Sequence, residues 1–185
     1  MALLFIRHAE TDLAGRFCGH ADPPVHAKGL AQIEKLLQTL EGERIDAIYT
    51  SDLLRARTTA NAIGKAFGIG PVTLPELREI SFGEWEALSW AEIEDRDAEY
   101  AQRWTAEFPH LPAPGGERFD AFQSRILRVV KELFASQAEK PAAVVTHAGV
   151  MRVVLQSLCG VSEQEAWERT RQYCGFFRCE AGKLV

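Results

Sequence analysis

Two arginines and two histidines in this chain, Arg7, His8, Arg55 and His147, sit where short apolar runs end. Arg7 and His8 follow Ala2-Leu3-Leu4-Phe5-Ile6, an unbroken run that suits a strand covered on both faces. His147 closes a second run of this kind, Ala142-Ala143-Val144-Val145-Thr146, and precedes Ala148-Gly149 and an apolar helix from about Val150 to Leu158. Arg55 lies in the first turn of a helix that follows a short strand, Asp46-Ala47-Ile48-Tyr49-Thr50. Open α/β sheets bind ligands beyond the carboxyl ends of their strands, so these residues point to one shared edge. Arginine offers a permanent planar fork of donors, and histidine a nitrogen that serves as base, acid or nucleophile at neutral pH. Two guanidinium groups and a helix N-terminus make a pocket for a dianion. Two histidines within it provide one nucleophile and one donor to a transferring phosphoryl group. A nearby carboxylic acid would protonate the leaving oxygen. The segment Glu79-Ile80-Ser81-Phe82-Gly83-Glu84-Trp85-Glu86 carries three candidates, and residue type alone leaves open which of them acts.

The elements that must position these groups alternate between strand and helix. That pattern predicts an α/β fold, a three-layer α/β/α sandwich with a mostly parallel central sheet. Leu30, Ile33, Leu36, Leu37 and Leu40 fall on one face of a helix over 27–40. A second helix is expected to start at a Ser51 or Asp52 cap and to stop at Gly68, with an edge strand over 71–74. Residues 89–107 read as polar helix, a lid that turns Trp90, Trp104 and Phe108 inward. After the break at Pro112-Ala113-Pro114-Gly115-Gly116, Glu117 opens a helix with Phe119, Phe122, Ile126, Val129, Val130 and Leu133 at helical spacing. A helix over 163–170 and two short strands over 173–179 and 183–185 close the chain. No linker or repeat divides it, so the expectation is one domain over 1–185 with residues 84–116 as a cap.

Composition narrows the function class. The 185 residues are 46% hydrophobic and 25% charged, the balance of an ordinary globular domain. A net charge of -5, with no basic run, argues against a nucleic-acid surface. Cys18, Cys159, Cys174 and Cys179 show neither metal nor disulfide spacing and read as reduced thiols of a cytoplasmic protein. The apolar N-terminal run is too short for a signal peptide or membrane span. His20, His26 and His110 form no His-x-x-x-His pattern and read as non-ligands, so no metal is expected.

Five segments in order, Arg7-His8-Ala9-Glu10-Thr11, Ser51-Asp52-Leu53-Leu54-Arg55-Ala56, Leu77-Arg78-Glu79 with Phe82-Gly83-Glu84-Trp85-Glu86, Pro114-Gly115-Gly116-Glu117, and His147-Ala148-Gly149-Val150, resemble the markers of the histidine phosphatase, or phosphoglycerate mutase-like, superfamily. The resemblance implies that His8 becomes phosphohistidine, that Arg7, Arg55 and His147 hold the phosphoryl oxygens, and that Glu79 is the proton donor. It implies a small phosphomonoester substrate and no cofactor. Ala9 stands where the family usually has glycine, and Leu13 and Ala14 where it commonly has asparagine. Arg16 and Thr11 are the candidates to replace the lost phosphate contact, with Ala148 a further substrate-binding position. The compact length, the Phe82-Gly83-x-Trp85-Glu86 segment and the Gly19-His20-Ala21-Asp22 loop resemble the α-ribazole phosphatase and broad-specificity branch more than the longer mutases. A cofactor-dependent mutase and a non-catalytic phospho-ligand binder are the alternatives. Monomer and homodimer are both left open.

Overall fold

The computed structural model describes residues 2–136, 140–180 and 183–185. Its six strands are β1 (Ala2–Arg7), β2 (Ala47–Thr50), β3 (Val72–Thr73), β4 (Ala142–Thr146), β5 (Phe176–Glu180) and β6 (Lys183–Leu184). They form one sheet in the order β3-β2-β4-β1-β5-β6. The pairs β3/β2, β2/β4 and β4/β1 are parallel, whereas β5 runs antiparallel to both β1 and β6. The sheet is therefore mostly parallel, as expected, with an antiparallel edge. Register places the two histidines side by side: Arg7 pairs with Thr146, and the His8 amide donates to the Thr146 carbonyl at 2.9 Å.

Alternate side chains of the strands feed two cores, which makes the fold three-layered. Leu4, Ile6, Ile48, Ala143 and Val145 face α1 (Ala27–Thr39) and α2 (Leu54–Phe67), meeting Ile33, Leu36, Ala56, Ala60 and Ile63. Leu3, Phe5, Ala142, Val144 and Phe177 face the opposite way. There they meet Phe122, Ile126 and Val130 of α5 (Phe119–Ser136), Val150 and Val154 of α6 (Ala148–Ser157), and Ala166 of α7 (Glu163–Thr170). Full burial of each large apolar side chain contributes about 1.5–3 kcal/mol, so β1 is anchored from both faces and its C-terminal end is rigidly placed.

Residues between β3 and α5 build a smaller cluster of their own. Trp85, Ile93 and Ala113 are buried there with Phe17, Trp90, Tyr100 and Trp104 around them. The helical stretch expected over 89–107 is two helices, α3 (Trp90–Arg96) and α4 (Ala98–Glu107). Asp97, extended at φ -157, breaks them apart and caps α4 by accepting from the Tyr100 amide. Phe108 departs from the expected inward position: it is 49% exposed, with its ring against Trp104 and Phe119.

Three helix starts also differ from the sequence reading. Leu53, not Ser51 or Asp52, is the N-cap of α2. Asp52 is committed to a paired contact with Arg78, and the Leu54 amide is met by Asp22 from a distant loop. Glu117 lies before α5, where it grips Arg125. The helix after His147 starts at Ala148, so His147 itself is the N-cap and its ring is carried to the strand end. Among the described residues no helix is long and apolar enough to cross a membrane.

Candidate active site

The sheet edge brings Arg7, His8, Arg55, Glu79 and His147 together. His8 is 7% exposed, and its ring lies 5.0 Å from that of His147 between centroids. Its Nδ1 is 2.7 Å from the carbonyl oxygen of Ala9. A carbonyl only accepts, so Nδ1 carries the hydrogen and Nε2 presents a lone pair in the neutral ring. Arg55, fully buried on α2, aims its Nε at that lone pair from 3.3 Å. Ala9 is completely buried, and its amide donates to the Thr59 hydroxyl, so the turn accepts alanine in place of glycine.

Burial, followed by the charges of Arg55 and Arg7, holds the His8 pKa well below 6.5. Burial also lowers His147 well below 6.5, with Arg55, His8, Arg7 and Arg125 adding to the effect. Both rings are therefore neutral in the folded protein at neutral pH. Unfolding returns them to about 6.5, where they take up protons as the pH falls. Stability contributed by the neutral rings is fully present above pH 6.5 and is lost progressively below it. The limiting slope is about 1.4 kcal/mol per pH unit for each ring until its folded pKa is reached. Denaturant titrations of wild type and His147→Gln across this range check the effect; the variant should show the shallower slope.

His147 is 1% exposed, yet neither of its ring nitrogens has a hydrogen-bond partner. Arg7 shows the same feature at Nε, while its other end donates from NH1 to the carbonyls of Thr170 at 3.0 Å and Arg171 at 2.5 Å. Its guanidinium lies 3.8 Å from the ring centre of Tyr173, whose ring is also beside His8. A buried polar group without a partner costs about 1–3 kcal/mol, so the Arg7 Nε–H and the one N–H of the neutral His147 ring are donors left open to an acceptor oxygen.

Glu79 is 9% exposed and accepts two backbone amides, Ile80 at Oε1 and Gly149 at Oε2, at 3.0 and 2.8 Å. The first turn of α6 thus already holds one carboxylate. A Cβ at Gly149 would stand 2.1 Å from Glu79 Oε1, so glycine is required for this approach. The segment that carries Glu79 is clamped by Arg125, which donates to the carbonyls of Glu76, Arg78 and Glu79 while paired with Glu117.

Of the other sequence candidates, Thr11 is 2% exposed and Ala148 9%, and both line the cavity in front of His8. Arg16 also lines it, but its NH1 is engaged by the Ala87 carbonyl and Glu92, which ties the loop to α3. His20 reaches the Glu79 carbonyl and His26 caps α1, so these two rings serve the loops around the site. Among the described residues no cluster of three or more His, Cys, Asp or Glu side chains is placed to hold a metal ion. The cavity measures about 800 Å³ and runs outward from His8 and Glu79 past Phe17, Phe82, Trp104, Phe119 and Trp167. Reading the sequence did not find Arg125, Glu86 or Gly149 as parts of this assembly. Glu86 left a trace as one of the three candidate acids and as the end of the Phe82-Gly83-Glu84-Trp85-Glu86 marker, and the glycine in the His147-Ala148-Gly149-Val150 marker; Arg125 left none.

The family model described as histidine phosphatase superfamily, branch 1, matches residues 3–183. An adenosylcobalamin/alpha-ribazole phosphatase of Escherichia coli K12 is 33% identical over 177 residues, covering 94% of this chain and 87% of that protein. Phosphoserine phosphatase 1 of Hydrogenobacter thermophilus is 29% identical, covering 89% of this chain and 79% of the relative. The crystal structure of the alpha-ribazole phosphatase from Shigella flexneri superposes with a TM-score of 0.89 at 28% identity, covering all of this chain and 94% of that one.

Proposed function

We propose, from the premise that this chain belongs to the histidine phosphatase superfamily, that it hydrolyses a small phosphomonoester through a phosphohistidine on His8 without a metal. The observation that carries this reading is the Nε2 lone pair of a neutral His8, fixed by its Nδ1 hydrogen bond, met among the described residues only by the Arg55 Nε–H, and set among the charges of Arg55 and Arg7 beside His147. Substrate phosphate takes the place of the Nε2 contact, so the Arg55 Nε–H passes from the lone pair to a phosphoryl oxygen. The Arg7 Nε–H and the single N–H of the neutral His147 ring donate to the other oxygens.

His8 Nε2 attacks phosphorus in line as the ester P–O bond breaks. Glu79, protonated for this step, gives its proton to the leaving alcohol oxygen. In the second half Glu79 takes a proton from water, whose oxygen attacks phosphorus and breaks the P–N bond. Inorganic phosphate leaves and His8 is restored. Each half needs positive charge over the equatorial oxygens, and the fixed guanidinium groups, Arg55 fully buried among them, supply it. Thr11 and the Ala148 amide are further phosphate contacts, and residues 84–116 are a cap over the leaving group.

The finer assignment is an aromatic nucleoside 5'-phosphate, α-ribazole 5'-phosphate foremost. Two lines support it: the relatives named for that activity, and a cavity whose outer wall is ringed by aromatic side chains. Stacking and burial of the heterocycle against such a wall is worth about 2–3 kcal/mol, which predicts a kcat/KM about 10²-fold above that for phosphoserine. Phosphate release measured on α-ribazole 5'-phosphate, phosphoserine and p-nitrophenyl phosphate checks this. Equal kcat/KM values for all three would remove the nucleotide assignment and leave the hydrolase reading in place.

A further inference from the structure

Arg55 is completely buried, and among the described residues its one carboxylate partner, Asp22, stands off at 4.0 Å and is 41% exposed on its side chain. Its guanidinium is spent instead on peptide carbonyls. NH2 donates to Gly19 at 2.7 Å and Cys18 at 3.3 Å, and NH1 donates to Ala21 at 2.6 Å. The opposite side of the same loop is held by the carboxylate of Glu86. Oε2 accepts the amides of Gly19 at 3.0 Å and Ala21 at 2.9 Å, and Oε1 accepts His20 at 2.7 Å and Phe82 at 2.9 Å.

Two peptide units, Cys18–Gly19 and Gly19–His20, therefore lie with their N–H groups on Glu86 and their carbonyls on Arg55. Their dipoles stand in series between an anion and a cation, so each charge orients the peptides that hold the other. The arrangement admits no side chain at position 19, where a Cβ would be 2.1 Å from the Ile80 carbonyl and 2.6 Å from Glu86 Oε1. Through the Phe82 amide, Glu86 also joins this loop to the segment that carries Glu79.

We propose that Glu86 is a positioning residue for the phosphoryl-transfer step: acting through residues 18–21, it holds the Arg55 guanidinium against His8. The proposal rests on the reading of His8 and Arg55 given above. An ordinary loop anchor would add stability, but this one sets the angle of the cation that touches the nucleophile. A carboxylate is required because four amides converge on two oxygens. Glutamine offers one acceptor oxygen and turns an NH2 toward two donors, leaving part of the loop unsatisfied.

The test is single-turnover and steady-state kinetics of Glu86→Gln, Glu86→Asp, Arg55→Ala and the double variant Glu86→Gln/Arg55→Ala. Thermal denaturation of each protein confirms that it is folded at the assay temperature, and Tyr100→Phe controls for loss of a hydrogen bond within the aromatic segment. Glu86→Gln is expected to lower the phosphorylation rate about 10²-fold, as a displaced catalytic group does, while the folded protein persists. Glu86→Asp, which keeps the charge, should recover part of the loss. In the Arg55→Ala background Glu86→Gln should have little further effect, because the group it positions is gone. An unchanged rate in folded Glu86→Gln, or a loss that is fully additive with Arg55→Ala, would overturn the proposal. A fully active Arg55→Ala would instead overturn the reading of the site beneath it.

Discussion

His8→Ala is expected to lower kcat by about 10⁴-fold or more on every phosphomonoester, because the covalent route disappears and the remaining groups can only bind and polarise. The loss should be specific to chemistry. Arg7, Arg55 and His147 are carried by different elements, and Ala9, whose amide is held by Thr59, keeps the turn in place. Affinity for inorganic phosphate should accordingly stay within about tenfold of wild type, a difference of about 1.4 kcal/mol. Rapid-quench kinetics together with phosphate titration by calorimetry measure the two quantities separately. Comparable losses in both would mean that His8 only helps to bind.

Glu79→Gln is expected to show its effect in a substrate-dependent way. Proton donation contributes about 10²–10⁴-fold where the leaving alcohol is a poor leaving group, and far less for p-nitrophenolate. The second half-reaction uses Glu79 as the base whatever the substrate was. With p-nitrophenyl phosphate the variant should therefore give a fast burst of about one nitrophenolate per enzyme and then slow turnover. Alkyl phosphates should give no burst. Stopped-flow absorbance decides between this and the alternative in which Glu79 merely fixes α6 through Gly149, for which both half-reactions would slow alike on both substrates.

The parts of this site that were legible in the sequence are those tied to regular elements. Unbroken apolar runs placed Arg7, His8 and His147 at strand ends, and register then put the two histidines beside each other. Arg55 could be placed because a short strand followed by a Ser51 or Asp52 cap signal puts it in the first helical turn, and the helix does begin there, at Leu54. Groups whose partners are loop backbone left no such trace. Glu86 reads as a solvated acid until the four amides around it are seen, and Arg125 reads as a surface residue of α5 until it is found on three carbonyls around Glu79. The cap of α2 escaped for the same reason: local rules favour Ser51 or Asp52, but Arg78 claims Asp52 and Asp22 supplies the cap from a distant part of the chain. Arg16, expected as a replacement phosphate contact, has its NH1 taken up by Glu92 and the Ala87 carbonyl.

The central claim is that the phosphoryl group passes through His8. Enzyme mixed with excess substrate and quenched in alkali within one turnover, then digested and sequenced by mass spectrometry, tests it most directly. The account predicts one phosphoryl group on the peptide that contains His8, stable to base, lost in acid, and absent from His8→Ala. Full turnover with no phosphorylated histidine at any quench time, or a phosphoryl group on His147 instead, would contradict it.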